Sequence, residues 1–247
     1  MRSNQLTLAE VKARNSQLGR GFDALGQPRT LTSAEFFEIS AELGANQDNP
    51  DYVRLFDLTV DWICRWLPVR SAVEIGSGPG YLLHRLNERG IRTIGCDGNA
   101  CSRQFFREKH PEHADYYRLD PFFEQDYPPV DMLISIEVFE HIPDPGLATL
   151  MSRIKSGLKP RFVVFSSTPH HDPDPDWDFQ WGHINIKSPV EWDRLFLSYG
   201  YYRTDMHPPV SGWATLYVDQ ALYATWNSRL SRMLRWLKWL SRGFFQG

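Results

Sequence analysis

The sequence predicts an α/β fold: a doubly wound, Rossmann-like, mostly parallel seven-stranded sheet with a helical N-terminal addition and a C-terminal amphipathic helix. Three observations predict it. From residue 71 onward, short apolar runs alternate with segments of helical periodicity. The first run leads directly into a glycine-rich turn, Gly76-Ser77-Gly78-Pro79-Gly80. The second ends in an acid, Asp97, on the edge where such sheets bind ligands.

Residues 1–67 read as helical and form the first unit, a lid over the ligand cleft. Thr32 and Glu35 make a capping box ahead of Phe36, Phe37, Ile39 and Leu43. Asn49-Pro50 pairs a cap residue with a proline suited to the first helical position, and that helix stops at Pro68. The second unit, 68–220, holds the sheet. Its strands are expected at 71–75, 91–96, 116–119, 130–136 and 162–166, with helices at 81–88, 99–109 and 146–157. Residues 169–187 carry repeated Pro, Asp and Gly signals and read as a long loop. A helix follows from Ser188-Pro189, and residues 201–205 and 213–219 read as a closing antiparallel pair. Residues 221–247 form the third unit, a cationic helix.

The 247 residues suit one such domain with additions, and 42% hydrophobic residues suffice for a core. A net charge of −3 gives no general attraction to nucleic acid. Cys64, Cys96 and Cys101 form neither a metal framework nor a disulfide scaffold, which fits a reducing cytoplasm. The N-terminus lacks the apolar core of a secretory signal, and no uninterrupted apolar run is long enough to span a bilayer.

The glycine turn lets a ligand approach backbone without a Cβ in the way, and the helix behind it offers free N–H groups. A carboxylate at Asp97 suits ribose hydroxyls. Glu74, inside the first strand, needs a partner such as a backbone N–H or a ligand amine. A dinucleotide fingerprint wants glycine or alanine where Tyr81 stands. The spacing of Glu74-Ile75-Gly76-Ser77-Gly78-Pro79-Gly80 instead resembles the cofactor loop of the class I S-adenosylmethionine (SAM)-dependent methyltransferases. Glu137-Val138-Phe139-Glu140-His141-Ile142-Pro143-Asp144 is similar to the fourth-strand motif of small-molecule methyltransferases related to ubiquinone-biosynthesis enzymes, and 182–201 resembles their late segment. The resemblance covers residues 70–205. It implies SAM as cofactor, with Glu74, Gly76, Ser77, Gly78 and Gly80 around its methionine part. It further implies Asp97 and Gly98 at the ribose, and Asp120 and Pro121 at the adenine with Phe122 and Phe123 near the base. Glu137 is placed by the methyl.

Methyl transfer from a sulfonium is an in-line displacement, and a hydroxyl acceptor is helped by a general base. Histidines crowd the acceptor edge: His141, His170, His171 and His183 are the candidates. The His and Asp residues of 170–178 are separated by prolines, so no metal is expected there. They are read as solvating a lid, with Trp177 and Trp181 closing over the substrate. Residues 226–245 carry five cations and no acid, interleaved with Trp, Leu and Phe. This pattern suits peripheral membrane contact or an oligomer contact.

The expected function is SAM-dependent O-methylation of a small metabolite, a sugar or a lipid-linked acceptor by a cytoplasmic protein, with no nucleic-acid partner. A nicotinamide-dependent oxidoreductase on the same fold, and a non-catalytic membrane- or partner-binding scaffold, remain the alternatives.

Overall fold

The computed structural model describes residues 6–121, 123–226 and 228. Phe122 and nearly all of the cationic segment 226–245 lie outside the described residues. Three helices come first: α1 (Leu8–Leu18), α2 (Ser33–Glu42) and α3 (Pro50–Trp66). Capping boxes start α1 (Thr7 with Glu10) and α2 (Thr32 with Glu35), while Asn49 caps α3 ahead of Pro50. Thr59, Val60 and Ile63 are β-branched and cost α3 some helix propensity, up to about 0.7 kcal/mol each. Burying Val60 and Ile63 against the sheet returns about 1.5–3 kcal/mol apiece, so packing decides the helix.

The sheet then builds by alternation. Its first half is β1 (Ser71–Ile75), α4 (Tyr81–Glu88), β2 (Arg92–Asp97), α5 (Ala100–Lys109) and β3 (Tyr117–Leu119). Its second half is β4 (Met132–Ile136), α6 (Asp144–Arg153), β5 (Phe162–Ser166), α7 (Pro175–Trp181), α8 (Pro189–Ser198), β6 (Tyr201–Arg203) and β7 (Thr215–Asp219). A last helix, α9 (Gln220–Trp226), follows β7. The seven strands lie in the order β3-β2-β1-β4-β5-β7-β6, with β7 antiparallel to both neighbours.

Side-chain alternation along the strands separates two cores. Val73, Leu133 and Val163 stand in register and face α6 and α8. Ala72, Met132 and Phe162 face α3 and α4. Trp226 of α9 packs edge-on against Phe162, 5.3 Å between ring centroids. The strand order reverses between β1 and β4, so the loops leaving those strands diverge and open a crevice.

One segment departs from the sequence reading. Residues 169–187, expected to be a loop, contain α7, which Asp174 caps, Pro175 opens and a left-handed Gly182 closes. Proline and acid density hid the helix, although its start and stop signals were both present. The same helix reassigns Trp177, which is buried with Val11 and Ile39 instead of closing over a ligand.

Candidate functional site

The crevice is a cavity of about 990 Å³. The loops after β1 to β4, together with α2, α3 and α7, line it.

Its first half is largely backbone. Gly76 has φ +74°, and a Cβ there would sit 2.1 Å from Val138 Cγ2. Gly80, also left-handed, starts α4, where a Cβ would meet the Phe106 ring at 2.1 Å. The Ser77 hydroxyl donates to the Glu74 carbonyl at 3.3 Å. Asp97 binds this turn to the next loop, accepting from the amides of Gly78 at 2.8 Å and Asn99 at 2.7 Å. Burial raises the Asp97 pKa, and those amides oppose the shift. Gly98 stands against Pro121, whose Cβ would lie 2.8 Å from any added Cβ. Asp120 accepts from the amides of Glu124 and Gln125 and from the Tyr127 hydroxyl, at 2.8 to 2.9 Å.

Glu74 is the exception to this backbone cradle. It is buried, lines the cavity, and its Oε2 has no hydrogen-bond partner. Burial pushes its carboxyl up to about 8, with the nearby Asp97 charge adding to the shift. A buried carboxyl oxygen of this kind calls for a polar partner that the protein does not supply.

The second half is made of side chains. Glu137 leaves β4 with φ +53°, and its carboxylate accepts from Ser166 and, at 3.0 Å, from the Trp213 indole. Glu140 is buried, accepting from the Ser167 hydroxyl at 2.9 Å and the Thr168 amide at 3.4 Å. Burial first and the Glu137 charge second push the Glu140 carboxyl up to about 8. The Glu140 carbonyl accepts the amides of Ile184 and Asn185, which draws the segment after α7 onto the β4 loop. His141 and His183 therefore meet, 4.9 Å between ring centroids. His141 Nδ1 faces the Gly182 carbonyl at 3.3 Å, and burial holds its pKa down at about 4. His183 Nδ1 lies 3.0 Å from Asp178, a buried acid. Glu140, His141 and His183 each offer one ligand atom within 4.8 Å of the others, so this cluster is also able to hold a cation.

A family model described as a methyltransferase domain matches residues 32–210. The chain belongs to that family and is a class I SAM-dependent methyltransferase, with SAM as its cofactor. It is 27% identical over 112 residues to the ubiquinone biosynthesis O-methyltransferase of Hahella chejuensis, a match spanning 43% of this chain and 46% of that protein. The chain thus aligns with about half the length of that curated relative. Its fold resembles a putative O-methyltransferase from Nostoc punctiforme (TM-score 0.56, 15% identity, 85% of this chain and 67% of that one). It also resembles the magnesium protoporphyrin IX methyltransferase of Synechocystis solved with bound SAM (TM-score 0.50, 14% identity, 74% and 82%).

In this methyltransferase, nine of the ten residues expected at the cofactor line the cavity: Glu74, Gly76, Ser77, Gly78, Asp97, Gly98, Asp120, Pro121 and Glu137. Gly80 does not line it and packs against the Phe106 ring instead. Of the four histidines, only His141 and His183 line the cavity. His170 and His171 are exposed outside it, and His171 Nδ1 pairs with Asp178 at 3.0 Å. Three acids of that segment are engaged: Asp172 and Asp174 bind Lys12 of α1 at 2.8 and 3.3 Å and Asp178 pairs with the two histidines, His171 and His183, while Asp176 is exposed. Two site residues were missed. Asp178 looked like one acid among several, and Glu140 like part of a motif. The signal for Asp178 was its spacing of five from His183, legible only once α7 is known to turn the chain back. Among the described residues no helix is long and apolar enough to cross a membrane.

Proposed function

We propose that this methyltransferase methylates a hydroxyl of a small acceptor, with His183 as general base. The observation that carries the reading is the Asp178–His183 pair at the cavity wall. With Nδ1–H donated to Asp178, the lone pair of His183 is on Nε2, where a proton can be accepted. His141 beside it is neutral at pH 7 and adds no positive charge against His183 becoming cationic. Asp178 is the positioning residue. Phe36 and Trp181, edge-to-face at 4.6 Å between centroids, provide an apolar wall for the acceptor body.

SAM, when bound, would supply an electrophilic sulfonium methyl for the acceptor oxygen, and His183 would take the hydroxyl proton. The turn from Gly76 to Gly80 would hold its methionine part, with Glu74 Oε2 toward the ammonium. Asp97 would hold the ribose and Asp120 the adenine edge. Phe36, Trp181 and the N-terminal helices exclude water.

The test uses radiolabelled SAM with a panel of phenolic and sugar hydroxyl acceptors. Label is expected in an ether, and His183→Gln should slow transfer by about 10²–10⁴-fold with SAM affinity retained. Label in an amine, or an unaffected His183→Gln rate, would overturn the proposal. The 4.8 Å cluster of Glu140, His141 and His183 favours a second reading, in which a divalent cation lowers the acceptor pKa. Activity lost on chelation and restored by a divalent metal selects it; activity indifferent to chelation selects the base.

A further inference from the structure

A second group of ligating side chains lies away from the cavity, where α4 meets the 3₁₀ turn Pro111–Tyr116 between α5 and β3. His84 Nδ1 and His113 Nδ1 are 3.0 Å apart. Glu112 Oε1 lies 3.4 Å from the first and 3.8 Å from the second. These three atoms form a triangle whose centre is about 2 Å from each corner, the length of a zinc–nitrogen or zinc–carboxylate bond. Two imidazole nitrogens pointing at one another require either one shared proton or one cation. With a carboxylate oxygen closing the triangle, a cation satisfies all three lone pairs together.

The surroundings orient the ligands as metal sites do. His84 Nε2 faces the Glu88 carboxylate at 3.4 Å, which directs the Nδ1 lone pair inward, and Arg85 holds Glu88 in turn. The His84 ring stacks on His110, 3.8 Å between centroids. His110 Nε2 pairs with Gln47 Oε1 at 2.7 Å, and Gln47 Nε2 donates to the Pro79 carbonyl at 2.9 Å.

We propose that His84, Glu112 and His113 form a zinc site, with water in the fourth position. Two nitrogens and one oxygen suit zinc over magnesium, which prefers an all-oxygen shell. Glu112 is 55% exposed, so the metal enters from solvent. Bound there, it ties α4 to the segment before β3. Through His110 and Gln47 it also braces the glycine turn at the start of α4.

The full chain, stripped by chelator and carrying His183→Gln to disable the cavity cluster, is titrated with Zn²⁺ alone by equilibrium dialysis. One zinc per chain is expected. Adding Glu112→Gln should weaken binding by at least about tenfold, and adding His113→Gln should abolish it. Zinc absent from the His183→Gln chain, or retained undiminished with His113→Gln, would overturn the site. Should the His113 variant fail to fold, Glu112→Gln decides alone, because its side chain is mostly in solvent; unchanged affinity there also overturns the proposal. Cobalt(II) substituted into the same chain should give a four-coordinate visible spectrum, and a six-coordinate spectrum would count against the site.

Discussion

The loops after β1, β2 and β3 and the loops after β4 and β5 border one cavity by opposite means. The first group presents the backbone of the glycine turn and is fixed by hydrogen bonds between adjacent loops, as when Asp97 receives the Gly78 and Asn99 amides. The second presents ionisable side chains from separated segments. His141 and His183 meet only because Glu140 binds the chain after α7. Binding one invariant nucleoside needs a fixed cradle. Adapting to an acceptor needs groups that can be exchanged without disturbing that cradle.

Breaking the first group should give the largest effect. In Gly76→Ala the new methyl meets Val138 at 2.1 Å, at a backbone angle that favours glycine. A cost of about 3 kcal/mol or more is expected, or at least about a hundredfold in SAM affinity by calorimetry. Affinity equal to the parent protein would show that this turn is not the cofactor's cradle. The second group should respond in rate rather than in binding. Asp178→Asn leaves His183 without the acceptor that sets its tautomer, so kcat should fall about a hundredfold or more with SAM affinity kept. The pH–rate profile should shift as well, which a merely structural loss would not produce.

The same contrast explains what could be read in advance. The sheet, its order of elements and the glycine turn were legible because each rests on contiguous residues: periodicity, a cap such as Asn49, or a glycine where φ is positive. Glu74 was legible as an acid in a buried strand. His183 could be nominated but not separated from His170 and His171, since all three follow β5 in a polar segment. What separates them is α7, whose helical turn sets Asp178 3.0 Å from both His171 and His183 but leaves only His183 of the three on the cavity wall. Tertiary contacts of this kind leave no periodic trace in a sequence.

Glu74 gives a pH test of the first group. Its folded pKa, about 8, exceeds the ordinary carboxylate value, so the native state holds a proton that the unfolded chain releases. Stability of the ligand-free protein should therefore fall as pH rises from about 4.5 to 8, by a few kcal/mol at most. Glu74→Gln should make this decline shallower, leaving the share of Glu140, whose carboxyl is also pushed up to about 8. SAM should reduce it in the parent protein, because an ammonium beside Oε2 favours the ionised form. An identical slope in Glu74→Gln, measured by urea denaturation across that range, would place the decline elsewhere.

The smallest effect should come from the link between the N-terminal helices and the second group. Lys12 reaches from α1 to Asp172 and Asp174 and lies 5.1 Å from the centre of the Trp177 ring. The pair is partly solvated, so its worth is about 0.5–1 kcal/mol, far less than burying the Trp177 indole. Lys12→Met keeps the apolar stem over the ring and removes the charge. A loss of roughly 1–4 °C in melting temperature is expected, with turnover reduced less than in Asp178→Asn. Faster proteolytic nicking within residues 169–175 would show that the ion pair, and not the indole alone, holds this segment against α1. Unchanged melting and nicking would assign the docking of α7 to Trp177 and its apolar neighbours Val11 and Ile39.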